Sequence, residues 1–298
     1  MRRRRRASAV ILFAPEIDPI MSLRDELRAA AEALPNGKVS YAAKDGVALL
    51  TLTNPPANGY SYEMMRDIDE AVLRARFDDS VFVVVIAGEG EKFFCAGADI
   101  SMLDSVTPSF KYAFCLHANE TMLRLEHTPK LVIAALGGHC VGGGLEIAMS
   151  CDLRYARRDS GKCGLPEVAL GVLPGTGGTQ RLARAVGASR AIELMADGTT
   201  FDYDRAEALG LINGQVDADS DDAFLDAILE RALSYCPPHK AGMSVGLIKR
   251  SVQSGVDLPL ESGLALEREL QQRLFTSADA KEGIAAFVEK RKADFQGR

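Results

Sequence analysis

No pair of cysteines in this chain has redox or metal-ligand spacing. The six fall at positions 95, 115, 140, 151, 163 and 236, with no C-x-x-C among them. Scattered thiols of this kind read as reduced core residues of a cytoplasmic protein. The four histidines, His117, His127, His139 and His239, form neither H-x-x-x-H nor H-x-E, so no metal site is expected. A net positive charge is also missing: 35 Lys and Arg stand against 41 Asp and Glu, for a net charge of −6 and a pI of about 5.4. That balance disfavours a broad nucleic-acid or anionic-membrane surface. Long apolar runs are missing too. The N-terminal "AVILFAP" is interrupted by Pro15 and is too short to span a bilayer. Its arginine-rich start lacks a convincing small-x-small cleavage site.

What is present is ordinary globular composition, 47% hydrophobic and 26% charged over 298 residues. Residues 1–20 read as an appendage and Met21 as the start of an amphipathic helix. Residues 1–37 are therefore expected to be a partly disordered extension. "KVSYAAKDGVALLTLTNPP" predicts two strands joined at Lys44-Asp45-Gly46, then a proline-rich loop to Asn58. Met64, Ile68, Val72 and Ala75 recur at helical spacing after Ser61. The β-branched run Val81–Gly88, "LVIAALGG" and "DLRYAR" predict buried strands, and a long helix is expected over 109–127. Strands alternating with helices, followed by helices, predict an α/β core carrying a helical C-terminal region.

The densest chemical signal lies between Cys140 and Gln180. Gly142-Gly143-Gly144 follows a strand pattern and precedes a helical one. Glycine lets backbone N–H groups approach a ligand, and a helix start adds partial positive charge. That arrangement suits a developing anion. A dinucleotide fingerprint would need G-x-G-x-x-G, whereas this stretch has G-G-x-x-x-G-G-G. A second glycine turn, "FFCAGADI" over 93–100, offers another N–H donor. Two carboxylates stand nearby: Glu146, in the first turn of its helix, and Glu167, after Pro166. Singly, each reads better as a structural helix-start residue than as a catalytic one. Together, beside an anion-binding turn, they suit paired proton transfer if their pKa values are set apart.

"FFCAGADI", "HCVGGGLEIAMSCDLRYA", "CGLPEVALGVLPGTGGTQRLARAVG" and "AAFVEKRKADF" occur in this order. With them the chain resembles the crotonase superfamily, and within it the enoyl-CoA hydratases, over about residues 38–298. The resemblance implies a crotonase-like spiral of ββα turns over 38–230 and a helical trimerisation region over 231–298. It implies a homotrimer or dimer of trimers. It places an oxyanion hole at the N–H groups of Ala98 and Gly143, makes Glu146 and Glu167 the catalytic acids, and gives Gly175 a water-positioning role. Asn58, Gly59, Tyr60, Ala96, Asp99, Ile100 and Lys290 become candidate substrate or CoA contacts. The substrate would be an acyl-CoA thioester, with no cofactor beyond the CoA it carries. Retention of both glutamates favours hydration over an isomerase or another enolate-using acyl-CoA enzyme, and the acidic body disfavours an RNA-binding homologue.

Some positions depart from the family pattern. Gly137-Gly138 stands where Asn-Gly is common, Asn58-Gly59-Tyr60 where "NAL" is common, and Gln271 where some hydratases carry an aromatic. Tyr60 reads either as a pocket wall or as a core residue. Lys290 reads either as a CoA-phosphate contact or as a solvated helix end.

Overall fold

The computed structural model describes residues 21–298; the expectation of an appendage over 1–20 lies outside them. The chain enters through helix α1 (Leu23–Ala29), capped by Ser22, and the short strand β1 (Glu32–Ala33). β2 (Val39–Lys44) and β3 (Val47–Leu52) form the expected hairpin. Asp45 and Gly46 turn it with φ of 50° and 87°, as a tight twisted hairpin requires. Helix α2 (Tyr62–Phe77) starts at Ser61, whose side chain accepts from the Met64 N–H. Its stripe of Met64, Ile68, Val72 and Ala75 is buried.

From there the chain repeats one unit. β4 (Val83–Gly88) is followed by the three-residue β5 (Phe93–Cys95), then by α3 (Ile100–Ser105) and α4 (Pro108–His127). β6 (Leu131–Leu136) is followed by β7 (His139–Val141) and α5 (Gly143–Met149). β8 (Leu153–Arg157) is followed by β9 (Lys162–Gly164) and a 3₁₀ turn over Glu167–Leu170. Then come α6 (Gly178–Val186), α7 (Ala188–Asp197), β10 (Phe201–Asp202), α8 (Tyr203–Ala208) and β11 (Gly214–Val216). Helices α9 (Asp221–Leu233), α10 (Gly242–Gly255), α11 (Leu260–Phe275) and α12 (Ala278–Glu289) finish the chain.

The longer strands, flanked by the short β1 and β11, build a seven-stranded sheet, ordered β1-β2-β3-β4-β6-β8-β11 and parallel from β3 onward. The other short strands build a second sheet, β10-β9-β7-β5. Each turn of the spiral therefore places one strand in each sheet. β4 and β6 are apolar along their whole length because both faces are covered. Val84, Ile86, Val132 and Ala134 face α2, α4 and the second sheet. Val83, Val85, Leu131 and Ile133 face α1 and α9. Residues 21–37, read from the sequence as part of an extension, are built into this body. Leu27 is fully buried, and Arg24 pairs with Asp226 of α9 at 2.9 Å. No helix of the described residues is long and apolar enough to cross a membrane.

Candidate active site

Strands β5, β7 and β9 lie side by side and parallel, with Cys95 opposite Cys140 and Cys140 opposite Cys163. Neighbouring strands are about 4.8 Å apart, so the three turns that leave them are stacked at one sheet edge. Those turns carry Gly97-Ala98, Gly142-Gly143 and Pro166-Glu167. Gly97 (φ 95°) and Gly142 (φ 56°) use backbone conformations that side chains disfavour. The first two turns nearly touch: a Cβ on Gly97 would lie 3.0 Å from the Val141 carbonyl and 3.4 Å from the Gly143 nitrogen. Neither the Ala98 nor the Gly143 N–H donates to another described residue. Gly143 opens α5, where the first N–H groups have no intrahelical partner. Two free donors thus stand together.

Glu146, one turn into α5, is 1% exposed. Its Oε1 accepts from the N–H groups of Thr176 (2.8 Å) and Gly178 (2.7 Å), and its Oε2 from the Thr176 hydroxyl. Three donors from one loop hold the carboxylate in place. Close approach is needed here, since a Cβ on Gly178 would lie 2.9 Å from Glu146 Oε1.

Glu167 is held differently. Its Oε2 is buried without a hydrogen-bond partner, and its Oε1 lies 3.0 Å from where a Cβ of Gly142 would be. Burial pushes its pKa from 4.5 up to about 7, helped by the charge of Glu146 and opposed by its backbone hydrogen bond and Lys111. Burial thus favours the protonated form of this carboxyl. The two acids thus sit in different surroundings: Glu146 is held by three donors, and Glu167 is desolvated with one oxygen unpartnered.

The other expected site residues divide into groups. Gly175 directly precedes Thr176, the donor to Glu146, and a Cβ on it would meet the Cys115 sulfur at 3.3 Å. It also lines a cleft of about 430 Å³ with Leu123, Leu173 and Arg181, which neither glutamate lines. Tyr60 is 3% exposed and pairs with Ala98 in an isolated parallel bridge. Its ring packs on the Cα of Gly143 and stacks on Phe114 at 5.6 Å. It is thus a core residue that also backs the site. Gly59 borders the same bridge, and the Ala96 N–H is spent on the Ala57 carbonyl.

Asn58 is buried with its side-chain amide donating to the Glu89 and Phe93 carbonyls. Those bonds shape the loop and leave that amide no donor for a ligand. Asp99 caps α3, accepting from the Ser101 and Met102 N–H groups. Its pKa is lowered, first by the Ser101 hydroxyl. Ile100 is exposed beside it. Lys290 ends α12 in a left-handed conformation, exposed and with no side-chain partner among the described residues. Gln271 lies on α11 in a shallow groove with Glu267, Arg268 and Phe275. Neither α11 nor α12 packs on the glutamate-bearing turns.

Sequence reasoning missed Thr176, Lys111, Phe114 and Cys115. Thr176 sits inside the glycine-rich "LPGTGG", a signal that could have found it. The other three lie on one face of α4, and nothing local marks them. Among the described residues no cluster of three or more His, Cys, Asp or Glu could hold a metal ion.

Comparison with known proteins gives a consistent result. The family model described as enoyl-CoA hydratase/isomerase matches residues 42–298. A probable enoyl-CoA hydratase of Bacillus subtilis is 36% identical over 260 residues, covering 87% of this chain and 98% of that protein. The short-chain-enoyl-CoA hydratase of Clostridium acetobutylicum is also 36% identical, covering 84% and 95%. A solved enoyl-CoA hydratase structure from Geobacillus kaustophilus superposes with a TM-score of 0.84 at 41% identity, covering 88% of this chain and 97% of that one. The α/β spiral expected from the motifs is the fold of that structure.

Proposed function

Because this chain belongs to the enoyl-CoA hydratase/isomerase family, we propose that it adds water to a 2-enoyl-CoA, giving a 3-hydroxyacyl-CoA. The observation that carries this reading is the pair of unlike carboxylates beside two free backbone donors. In the proposed reaction the thioester oxygen sits between the Ala98 and Gly143 N–H groups. Glu146, held by its three donors, takes a proton from a water that Gly175 helps to hold. That water attacks C3. Charge develops on the thioester oxygen, where fixed donors act more strongly than they would in water. Glu167, whose raised pKa keeps a proton available, delivers it to C2. One proton enters the pair at Glu146 and one leaves it from Glu167, so the pair ends the turnover with the number of protons it began with. No cofactor is needed beyond the CoA of the substrate.

Assembly as a homotrimer or a dimer of trimers fits the surface. Helix α11 buries none of its residues in the single chain, and Leu260, Phe275, Phe287 and Val288 are exposed on the last two helices. Lys290 would then reach a CoA phosphate across a subunit boundary. Six free cysteines, five of them buried, fit a reducing, cytoplasmic setting.

The test is loss of enoyl-thioester absorbance when the protein is mixed with crotonyl-CoA. Hydration should be fast in wild type and fall at least ~10²-fold in Glu146→Gln and in Glu167→Gln. Near-normal hydration by either variant would remove that residue from the mechanism. Double-bond migration without water addition would replace the hydratase reading with an isomerase.

A further inference from the structure

Glu146 does not reach its surroundings through its own atoms alone. Its Oε1 is held by backbone N–H groups, which any sequence would supply. Its Oε2 is held by a side chain, the hydroxyl of Thr176. That hydroxyl lies 3.3 Å from the hydroxyl of Tyr60. Thr176 is fully buried, Tyr60 nearly so, and Tyr60 is locked by its stack on Phe114 and its packing on Gly143. Each hydroxyl has one proton to donate. While Thr176 donates to the carboxylate, Tyr60 must be the donor to Thr176.

We propose that Tyr60 and Thr176 are positioning residues, a two-hydroxyl chain that keeps Glu146 oriented both before and after it takes the proton of water. This rests on the hydratase reading given above. Once Glu146 carries that proton on Oε2, its O–H donates to Thr176 Oγ1, and Thr176 turns its own proton toward the Tyr60 oxygen. No proton leaves the chain; two hydroxyl groups rotate. A carboxylate held only by N–H donors would lose its Oε2 partner and its fixed geometry at that moment. Hydroxyl groups can switch between donor and acceptor where amides cannot, so Glu146 Oε2 keeps its partner in both states and only Tyr60, at the far end, gives up a donated bond.

The chain touches the Glu146 arm and not the Glu167 arm, which allows a clean separation. Hydration needs both glutamates. Exchange of the C2 protons of butyryl-CoA in deuterated water needs the N–H pair and Glu167, without attack by water. Tyr60→Phe keeps the ring and removes only the end hydroxyl. Thr176→Val removes the central hydroxyl and keeps the backbone N–H, while Thr176→Ser keeps both. The expected result is crotonyl-CoA hydration slowed roughly tenfold in kcat by Tyr60→Phe and by Thr176→Val, the scale of one lost hydrogen bond. KM, melting temperature and butyryl-CoA exchange should stay within about twofold or a few degrees of wild type, and Thr176→Ser should restore hydration. Equal loss of hydration and exchange in both variants would overturn the proposal by showing general damage to the site. Unchanged hydration would overturn it as well. Wild-type protein that exchanges butyryl-CoA but does not hydrate crotonyl-CoA would instead overturn the hydratase reading, and the relay with it.

Discussion

Glu167→Gln should produce a protein that is less active and, above neutral pH, more stable. The native carboxyl is pushed from 4.5 up to about 7, chiefly by burial. The folded state therefore holds a proton that the unfolded chain has released between those two values. By linkage, stability falls as pH rises through about 4.5 to 7 and stays lower above that window. The full shift of about 2.5 units at 1.36 kcal/mol each is about 3 kcal/mol. Glu167 is only partly buried, so solvent screening reduces this to about 1–2 kcal/mol. Glutamine has the same shape and carries no such penalty. At roughly 2–4 °C per kcal/mol for a chain of this size class, the variant should melt several degrees above wild type at pH 8. Relative to that gap, the two should converge toward pH 5. The assay is paired thermal melts at pH 5 and pH 8, at one protein concentration and ionic strength. A gap that does not grow with pH would refute the burial argument, and with it the claim that Glu167 holds a proton near neutrality. The same group sets the activity profile. kcat/KM should fall as pH rises through about 7, and should do so equally for hydration and for the reverse dehydration. The ratio of the two kcat/KM values is the equilibrium constant, and the reaction takes up no net proton, so one profile serves both directions.

Other consequences follow from packing. Gly143→Ala is a mild change by helix propensity, worth up to about 1 kcal/mol in favour of alanine. In the folded protein the new Cβ would overlap the Tyr60 ring. Overpacking of about 1–3 kcal/mol should win; a lowered melting temperature, partly restored by adding Tyr60→Leu, checks it. Glu146→Gln should keep a near-native melting temperature while hydration collapses, because Thr176 can turn to accept from the new amide; differential scanning and initial rates on one preparation decide. Away from the site, Lys249 is 2% exposed and bonded to Asp152 at 2.8 Å and to the Leu125 and Lys130 carbonyls. Lys249→Met should destabilise by about 3–5 kcal/mol, since it strands Asp152; a chemical-denaturation midpoint near wild type would contradict that.

Local pattern was enough for the large sheet. Val83–Gly88 and Leu131–Leu136 carry no polar side chain because both faces are covered, and that is visible in any short window. The Asp45-Gly46 turn and the helical stripe of α2 were equally legible, since each depends on residues within one or two turns. The glycines and the two glutamates were visible as motifs. Tertiary structure alone decided what they face. The second sheet is made of strands two or three residues long, too short to carry a period. Yet it is this sheet that stacks Ala98, Gly143 and Glu167 at one edge. Register between such strands is set by packing from residues far apart in the chain, which no single window contains. The same holds for Tyr60, which the sequence left open between pocket and core. Asn58, expected at the ligand, turned out to hold a loop. The raised pKa of Glu167 comes from the desolvating neighbours that folding supplies, so it exists only once the three turns have met.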